Sequence, residues 1–355
     1  MSTVWTEDIL GAGFESATLE VPAADGGSRR ATLVRHLPEA AGIQPGPQAV
    51  LYLHGWSDYF FNAELAAFWH RQGISFYALD VHNHGRNLRT AEQDENDDGA
   101  PAPEDADPAA RTIGAGDLAG YASDLADYDD EIAAAMDAVR EDTAARLDLQ
   151  PGVVKTILMG HSTGGLVAAL WTDRNPGAVH ALVLNSPWLE MHRSSLVRRA
   201  AATVIDPISR IRPEAEIRLP VRGFYWRSIS SEAEGEWDLD PKMRPQYAFP
   251  VRAGWLSAIW QGQAAVDKGL SIRVPILVLT SARSVYGPLW HEEMKTADAV
   301  LDVETMAASA VKLGSSVTVE RIDSALHDVF LSKSEVRRDA YRRLQRWIKA
   351  YVLGS

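Results

Sequence analysis

Near the middle of the chain the apolar run "VKTILMG" passes into "HSTGGLVAALWTDRN" with no loop between them. The first piece reads as a buried strand and the second as a helix. The turn from one to the other must therefore fall within Gly160–His161–Ser162–Thr163–Gly164. A bend that sharp strains its central residue and needs small neighbours, here the glycines at 160 and 164. Such a junction commits the chain to a sheet with a helix packed directly on it. It also stands one hydroxyl beyond the carboxyl end of the sheet, where open α/β sheets bind ligands. The following helix points its positive N-terminus at the same spot. Read without chemistry, the same stretch is simply a tight turn.

The rest of the chain repeats the alternation. "SATLEV" and "RRATLVRHL" read as an initial antiparallel pair, followed by "QAVLYLHG", "ISFYALDV", "HALVLNS", "VPILVLTS" and "SVTVERI". Several are nearly continuous apolar runs, as strands covered on both faces of a parallel sheet must be. Helical patterns separate them: "AELAAFWHRQG", a long "GDLAGYASDLADYDDEIAAAMDAVRED", and a basic amphipathic "SEVRRDAYRRLQRWIKAYVL" that reads as a closing helix packed on the sheet. One interval breaks the rhythm. Between "LNSPWLEM" and "VPILVLTS" there is no clear strand–helix alternation but a dense set of aromatics, in "RGFYWRS", "GEWDLDP", "QYAFPVRAGW" and "LSAIWQG". An interval this long inside a compact domain usually has its own structure and a task. The expected division is a core of residues 1–192 and 266–355 with an inserted cap at 193–265.

Charge and composition exclude several classes of function. With 35 basic and 48 acidic side chains the net charge is −13, which disfavours nucleic acid and anionic membrane surfaces as partners. Much of the excess lies in "AEQDENDDGAPAPEDADPAA", residues 91–110, which reads as a solvated loop. No stretch approaches the roughly 18 apolar residues that span a bilayer, so no stable membrane insertion is expected. The start, "MSTVWTEDILGAGFES", lacks a basic region leading into an apolar run, so no signal peptide is expected either. The absence of cysteine rules out disulfides and thiolate zinc sites. A cytoplasmic protein is the expectation, with its oligomeric state open.

Strand, "GHSTGG", helix, and an upstream strand ending in "HGWSDY" together resemble the α/β-hydrolase fold, closest to the monoacylglycerol lipase, lysophospholipase and serine aminopeptidase-like group. The resemblance runs from about Val50 onward. It includes "LDVHNHGRN", which is similar to that family's D-x-x-x-H-G-x-S turn but carries Asn87 where serine is usual. It implies a mostly parallel central sheet with helices on both faces, an inserted cap, and a serine nucleophile at Ser162.

A serine hydroxyl needs a base to take its proton. The resemblance implies the order serine, acid, histidine, with the histidine on a loop after the last strand, and "SVTVERIDSALHDVFLS" places His327 there. Of the other histidines, His161 packs within the turn. His82 and His84 hint at a metal pair, but no nearby acid cluster completes a site, and no metal or cofactor is expected. Negative charge building on a carbonyl oxygen needs backbone N–H donors already in place. Thr163, after the nucleophile, offers one; by resemblance the residue after His54–Gly55, Trp56, offers the other. The acid ordinarily follows "VPILVLTS" closely, yet "ARSVYGPLWHEEMKT" contains no aspartate. "ADAVLD" then appears, similar to the family's A-D-x-V-V-D pattern, and by that match Asp298 orients the histidine. Asp302 is the alternative acid, and Glu292 and Glu293 stay open; Asp328, beside the histidine, reads as structural.

The interval's aromatics, among them Trp226, Trp255 and Trp260, line a substrate pocket or form the cap's own core. Near a nucleophile they favour an apolar substrate portion. Arg222, Arg227 and Arg252 lie among them, as head-group contacts or solvated side chains. The reading that results is a serine hydrolase cleaving carboxylic esters, monoacylglycerol-like or other medium-sized acyl esters, through an acyl-serine intermediate. An amidase or aminopeptidase with the same residues is one alternative, and a small-molecule binding protein without turnover is another.

Overall fold

Five apolar runs become parallel strands because each must be covered on both faces, the connecting helices supply that cover, and the half-buried "VTVERI" adds a sixth at the edge. The computed structural model describes residues 3–22, 26–37, 43–88, 118–190, 205, 207–218 and 222–354. The acidic segment 91–110 lies outside the described residues. Nine strands form one sheet: β1 (Thr6–Glu7), β2 (Phe14–Pro22), β3 (Ser28–His36), β4 (Gln48–Leu53), β5 (Ser75–Asp80), β6 (Lys155–His161), β7 (Ala181–Asn185), β8 (Ile276–Ser281) and β9 (Val317–Ile322). Their order is β1-β2-β3-β5-β4-β6-β7-β8-β9. The first three run antiparallel to their neighbours, as the expected opening pair requires, and β4 through β9 are parallel.

Alternate residues of the central strands enter two separate cores. Leu51, Leu53, Leu158, Leu182 and Leu184 pack beneath α2 (Asp129–Leu147), α3 (Ser162–Arg174) and α5 (Ala253–Lys268). Val50, Tyr52, Ile157, Met159 and Val183 pack on the opposite face beneath α1 (Ala63–Arg71) and α7 (Ser334–Tyr351). The basic final helix thus buries Tyr341, Leu344, Trp347 and Ile348 against the sheet. Two further helices are α4 (Phe224–Ile229) and α6 (Val303–Ala310). Where α5 crosses α3 the approach is close: a Cβ on Gly262 would lie 2.9 Å from Leu170 Cδ1.

The long helical pattern before β6 proves shorter than the sequence suggests. The α-helix starts at Asp129, and a 3-10 turn at Leu125–Tyr128 precedes it. Asp124 and Asp127 cap that turn reciprocally, so these aspartates close a separate turn rather than start the long helix. Among the described residues no helix is long and apolar enough to cross a membrane.

Candidate active site

The strand-to-helix turn places Ser162 as the first residue of α3 with φ of +52°, a conformation costly for a side-chain-bearing residue. Its neighbours explain the glycines. A Cβ on Gly164 would sit 2.2 Å from the His54 carbonyl oxygen, and one on Gly160 would sit 2.4 Å from the Gly164 carbonyl oxygen. Any larger residue would force backbone apart. The Ser162 carbonyl accepts the Trp188 N–H at 2.9 Å, pinning the turn to the chain after β7.

Ser162 Oγ lies 3.0 Å from His327 Nε2, and His327 Nδ1 lies 2.9 Å from Asp298 Oδ2. A carboxylate only accepts, so the imidazole proton sits on Nδ1 and the Nε2 lone pair faces the hydroxyl. Asp298 is fully buried, and its second oxygen accepts the N–H groups of Val300 and Leu301, both at 2.8 Å. Asp302 stands elsewhere, as the N-cap of α6 with its carboxylate accepting the Thr305 N–H at 2.8 Å. Glu292 and Glu293 are exposed, paired with Lys295 and Arg283.

Thr163, second in α3, has no carbonyl four residues back within the helix for its N–H, and it lines the cavity beside Ser162. Trp56 lines the same cavity from the loop after β4. Its indole is fixed on three sides: stacked on Trp255 with centroids 4.4 Å apart, edge-on to Phe249 at 6.3 Å, and donating to the Gly120 carbonyl at 2.9 Å. The next three residues hold the segment 240–249. Ser57 Oγ accepts the Phe249 N–H at 3.0 Å, Asp58 pairs with Arg244 at 2.6 Å, and Tyr59 Oη accepts the Asp240 N–H at 3.1 Å.

The other histidines have different work. His161 Nδ1 donates to the Asn185 carbonyl at 3.0 Å, and burial pushes its pKa down to about 4, so it is neutral. His82 pairs with the buried Glu131, while His84 Nδ1 donates to the His82 carbonyl at 2.9 Å. The two rings therefore serve separate partners. Asn87, at the usual serine position, ties its turn down by donating to the Asp80 carbonyl at 2.7 Å and accepting from Thr32 at 2.7 Å. Asp328 accepts from Asn185 Nδ2 at 2.6 Å and from the Phe330 N–H at 2.9 Å.

Above Ser162 opens a cavity of about 830 Å³, and Trp226, Trp255 and Trp260 all line it. Of the arginines expected near it, Arg222 is on the lining, donating to the Gly287 carbonyl at 2.8 Å. Arg227 pairs with Glu234 and stacks on Trp290, and Arg252 donates to the Glu214 carbonyl. The charged pair in the cavity wall is one that sequence reasoning missed, Asp58 and Arg244. Burial pushes the Asp58 carboxyl up to about 6 despite Arg244 beside it. The cue for Asp58 was its place in "HGWSDY"; nothing local marks Arg244.

The serine aminopeptidase S33 family model matches residues 45–333. No curated protein matches the sequence. Among solved structures, a monoacylglycerol lipase of Paleococcus ferrophilus is similar at 15% identity and a TM-score of 0.55, covering 87% of this chain and 96% of that one. A soluble variant of the Saccharomyces cerevisiae monoglyceride lipase, solved with a substrate analog, is similar at 13% identity and a TM-score of 0.55, covering 94% and 96%. A thermostable carboxyl esterase of Bacillus coagulans, solved with glycerol, is similar at 12% identity and a TM-score of 0.54, covering 95% and 98%. At these identities the likeness is one of fold.

Proposed function

The chain belongs to the serine aminopeptidase S33 family of α/β hydrolases, and on that premise we propose that it cleaves carboxylic esters through an acyl-serine intermediate. The observation that carries this reading is the contact of Ser162 Oγ with His327 Nε2 at 3.0 Å, with Asp298 behind the imidazole at 2.9 Å. In the proposed reaction His327 takes the Ser162 proton as the oxygen attacks the ester carbonyl. The N–H groups of Trp56 and Thr163 receive the charge on the carbonyl oxygen, and Asp298 stabilises the imidazolium. His327 Nε2 then protonates the departing alcohol, and a water deacylates Ser162 by the reverse proton path. This route requires no metal or cofactor.

Residues 193–265 are in this reading a cap inserted into the core of residues 1–192 and 266–355, and of its described residues Tyr225, Arg244 and Phe249 line the cavity, while the end of the interval, in α5, packs on α3. The aromatic lining supports an acyl substrate of medium size, and the monoacylglycerol lipases among the similar structures make a monoacylglycerol-like ester the leading candidate. An ester is favoured over a peptide N-terminus by one observation. A substrate ammonium needs an anionic partner, and the acid on the described lining, Asp58, is already paired with Arg244. The test is covalent labelling by a fluorophosphonate, lost in Ser162→Ala, followed by p-nitrophenyl esters of graded length against aminoacyl anilides. No labelling of the wild-type serine would reject the enzymatic reading; faster anilide cleavage would reject the ester.

A further inference from the structure

Two parts of the cavity lining differ in chemistry. In one part of the lining, Trp56 stacks on Trp255 with centroids 4.4 Å apart, and Trp188 lies tilted against Trp255 at 5.9 Å. In the other lies Tyr225 of α4, whose ring stands edge-on to the His327 imidazole at 5.4 Å and whose hydroxyl accepts the Asp328 N–H at 3.2 Å. The Arg244 guanidinium sits over that same Tyr225 ring at 5.4 Å and over Phe61 at 5.4 Å. The leaving-group oxygen of an ester takes its proton from the histidine. The alcohol portion must therefore depart beside His327, next to Tyr225 and the Arg244 guanidinium that lies over its ring.

Arg244 is buried yet lines the cavity. One of its N–H groups is committed to Asp58 Oδ1 at 2.6 Å, and among the described residues no other acceptor engages its side chain. A guanidinium carries five donors in a planar fork, so a donor edge is left for a bound molecule. Charge narrows what that molecule is. The Arg244 charge is already balanced by Asp58, and Asp328 adds a second anion within electrostatic range. A substrate carboxylate would meet two acids for one arginine, and an ammonium has no acceptor to offer the fork.

We propose that Arg244 is a specificity-determining residue, donating from its open edge to an uncharged oxygen acceptor, a hydroxyl or ether, on the alcohol portion of the substrate. This rests on the ester-hydrolase reading and adds to it the chemistry of the leaving group. A purely structural Arg244, serving to tie the segment 240–249 to the loop after β4, would leave leaving-group preference untouched.

The test compares butanoate esters that share one acyl group and differ in the alcohol: 2-hydroxyethyl, its isostere n-propyl, carboxymethyl and choline. The wild-type protein is expected to favour 2-hydroxyethyl over n-propyl by about tenfold in kcat/KM, with both charged alcohols below 2-hydroxyethyl. Arg244→Lys keeps a cation for Asp58 but has no planar second edge, and it should bring that ratio to about one or two. The double variant Arg244→Met, Asp58→Asn removes both charges together and should do the same. A wild-type ratio at or below one overturns the proposal, even where neither variant folds, and so does an unchanged ratio in a folded variant. Turnover of all four esters without preference sinks the subsite and leaves the ester reading standing. No turnover, with Ser162 unlabelled by fluorophosphonate, sinks both.

Discussion

Asp298 Oδ2 stands 2.9 Å from His327 Nδ1 because the chain leaves the sheet after β8 and then returns to it. Ser284 and Asp298 pair in a parallel bridge, and the Val285 N–H donates to the Asp298 carbonyl at 2.9 Å. The residues between them form an excursion that includes a 3-10 turn at Glu292–Lys295. The carboxylate thus reaches a position just beyond the strand end, although the sequence supplies it late.

The two aspartates of "ADAVLD" should separate cleanly. Asp298→Asn exchanges an acceptor for an amide at the imidazole and should lower kcat by roughly three to four orders of magnitude. Asp302→Ala removes the α6 cap, costing about 1 kcal/mol of stability with kcat within about twofold of wild type. Ester kinetics with thermal unfolding of both variants decide it; a larger kcat loss in the Asp302 variant would reassign the acid.

Gly164→Ala tests whether the turn is as tight as its contacts say. The added methyl would meet the carbonyl oxygens of His54 at 2.2 Å and Leu53 at 2.7 Å, both backbone, so β4 and the loop bearing Trp56 must shift. A stability loss of roughly 1–3 kcal/mol is expected, with kcat falling more than KM rises. Gly152→Ala, with no atom within 4 Å of the new methyl, is the control and should change stability by less than about 0.5 kcal/mol. Equal behaviour of the two variants would contradict the packing.

What the sequence made legible follows physical range. Strands β4 to β8 read as strands because burial on both faces writes an apolar run, and the turn at Ser162 reads because its glycines are forced by contacts within a few residues. His327 and Asp298 were found from the order and pattern of a resembling family, since their approach to Ser162 is made in space. The Asp58–Arg244 pair spans 186 positions and leaves no periodicity or motif behind. The start of α2 was misplaced for a related reason: Asp124 and Asp127 carry the residue type of a helix start, but their carboxylates close a 3-10 turn of their own.

Acid should weaken the fold partly through His161. Burial holds its folded pKa at about 4 against 6.5 when exposed, so below pH 6.5 the unfolded chain binds a proton that the folded protein refuses. Its stabilising contribution is complete above that pH and is lost as pH falls toward 4, by about 1.4 kcal/mol per pH unit. Asp58, raised to about 6, acts in the opposite sense, binding its proton more readily when folded. Comparison with His161→Asn isolates the histidine. Urea unfolding at pH 7.5 and 5 should show wild type losing about 2 kcal/mol more than the variant, and equal losses would refute a buried neutral imidazole.

Ser57 offers the sharpest link between the segment 240–249 and the chemistry. It holds φ at +56° directly after Trp56, and its hydroxyl accepts the Phe249 N–H at 3.0 Å. Ser57→Ala removes the acceptor, leaving a buried N–H unpaired at a cost of about 1–3 kcal/mol. With that tie gone, the loop can relax toward ordinary dihedrals, and the Trp56 N–H moves with it. In the proposed reaction, a Trp56 donor displaced from the carbonyl oxygen weakens the transition state more than the bound ester, so kcat should fall about tenfold with KM changed much less. Fluorophosphonate labelling of Ser162 should slow in parallel, because phosphonylation builds charge on the same oxygen position. Unaltered labelling and melting temperature in the Ser57 variant would mean that Trp56 is held by its indole contacts alone.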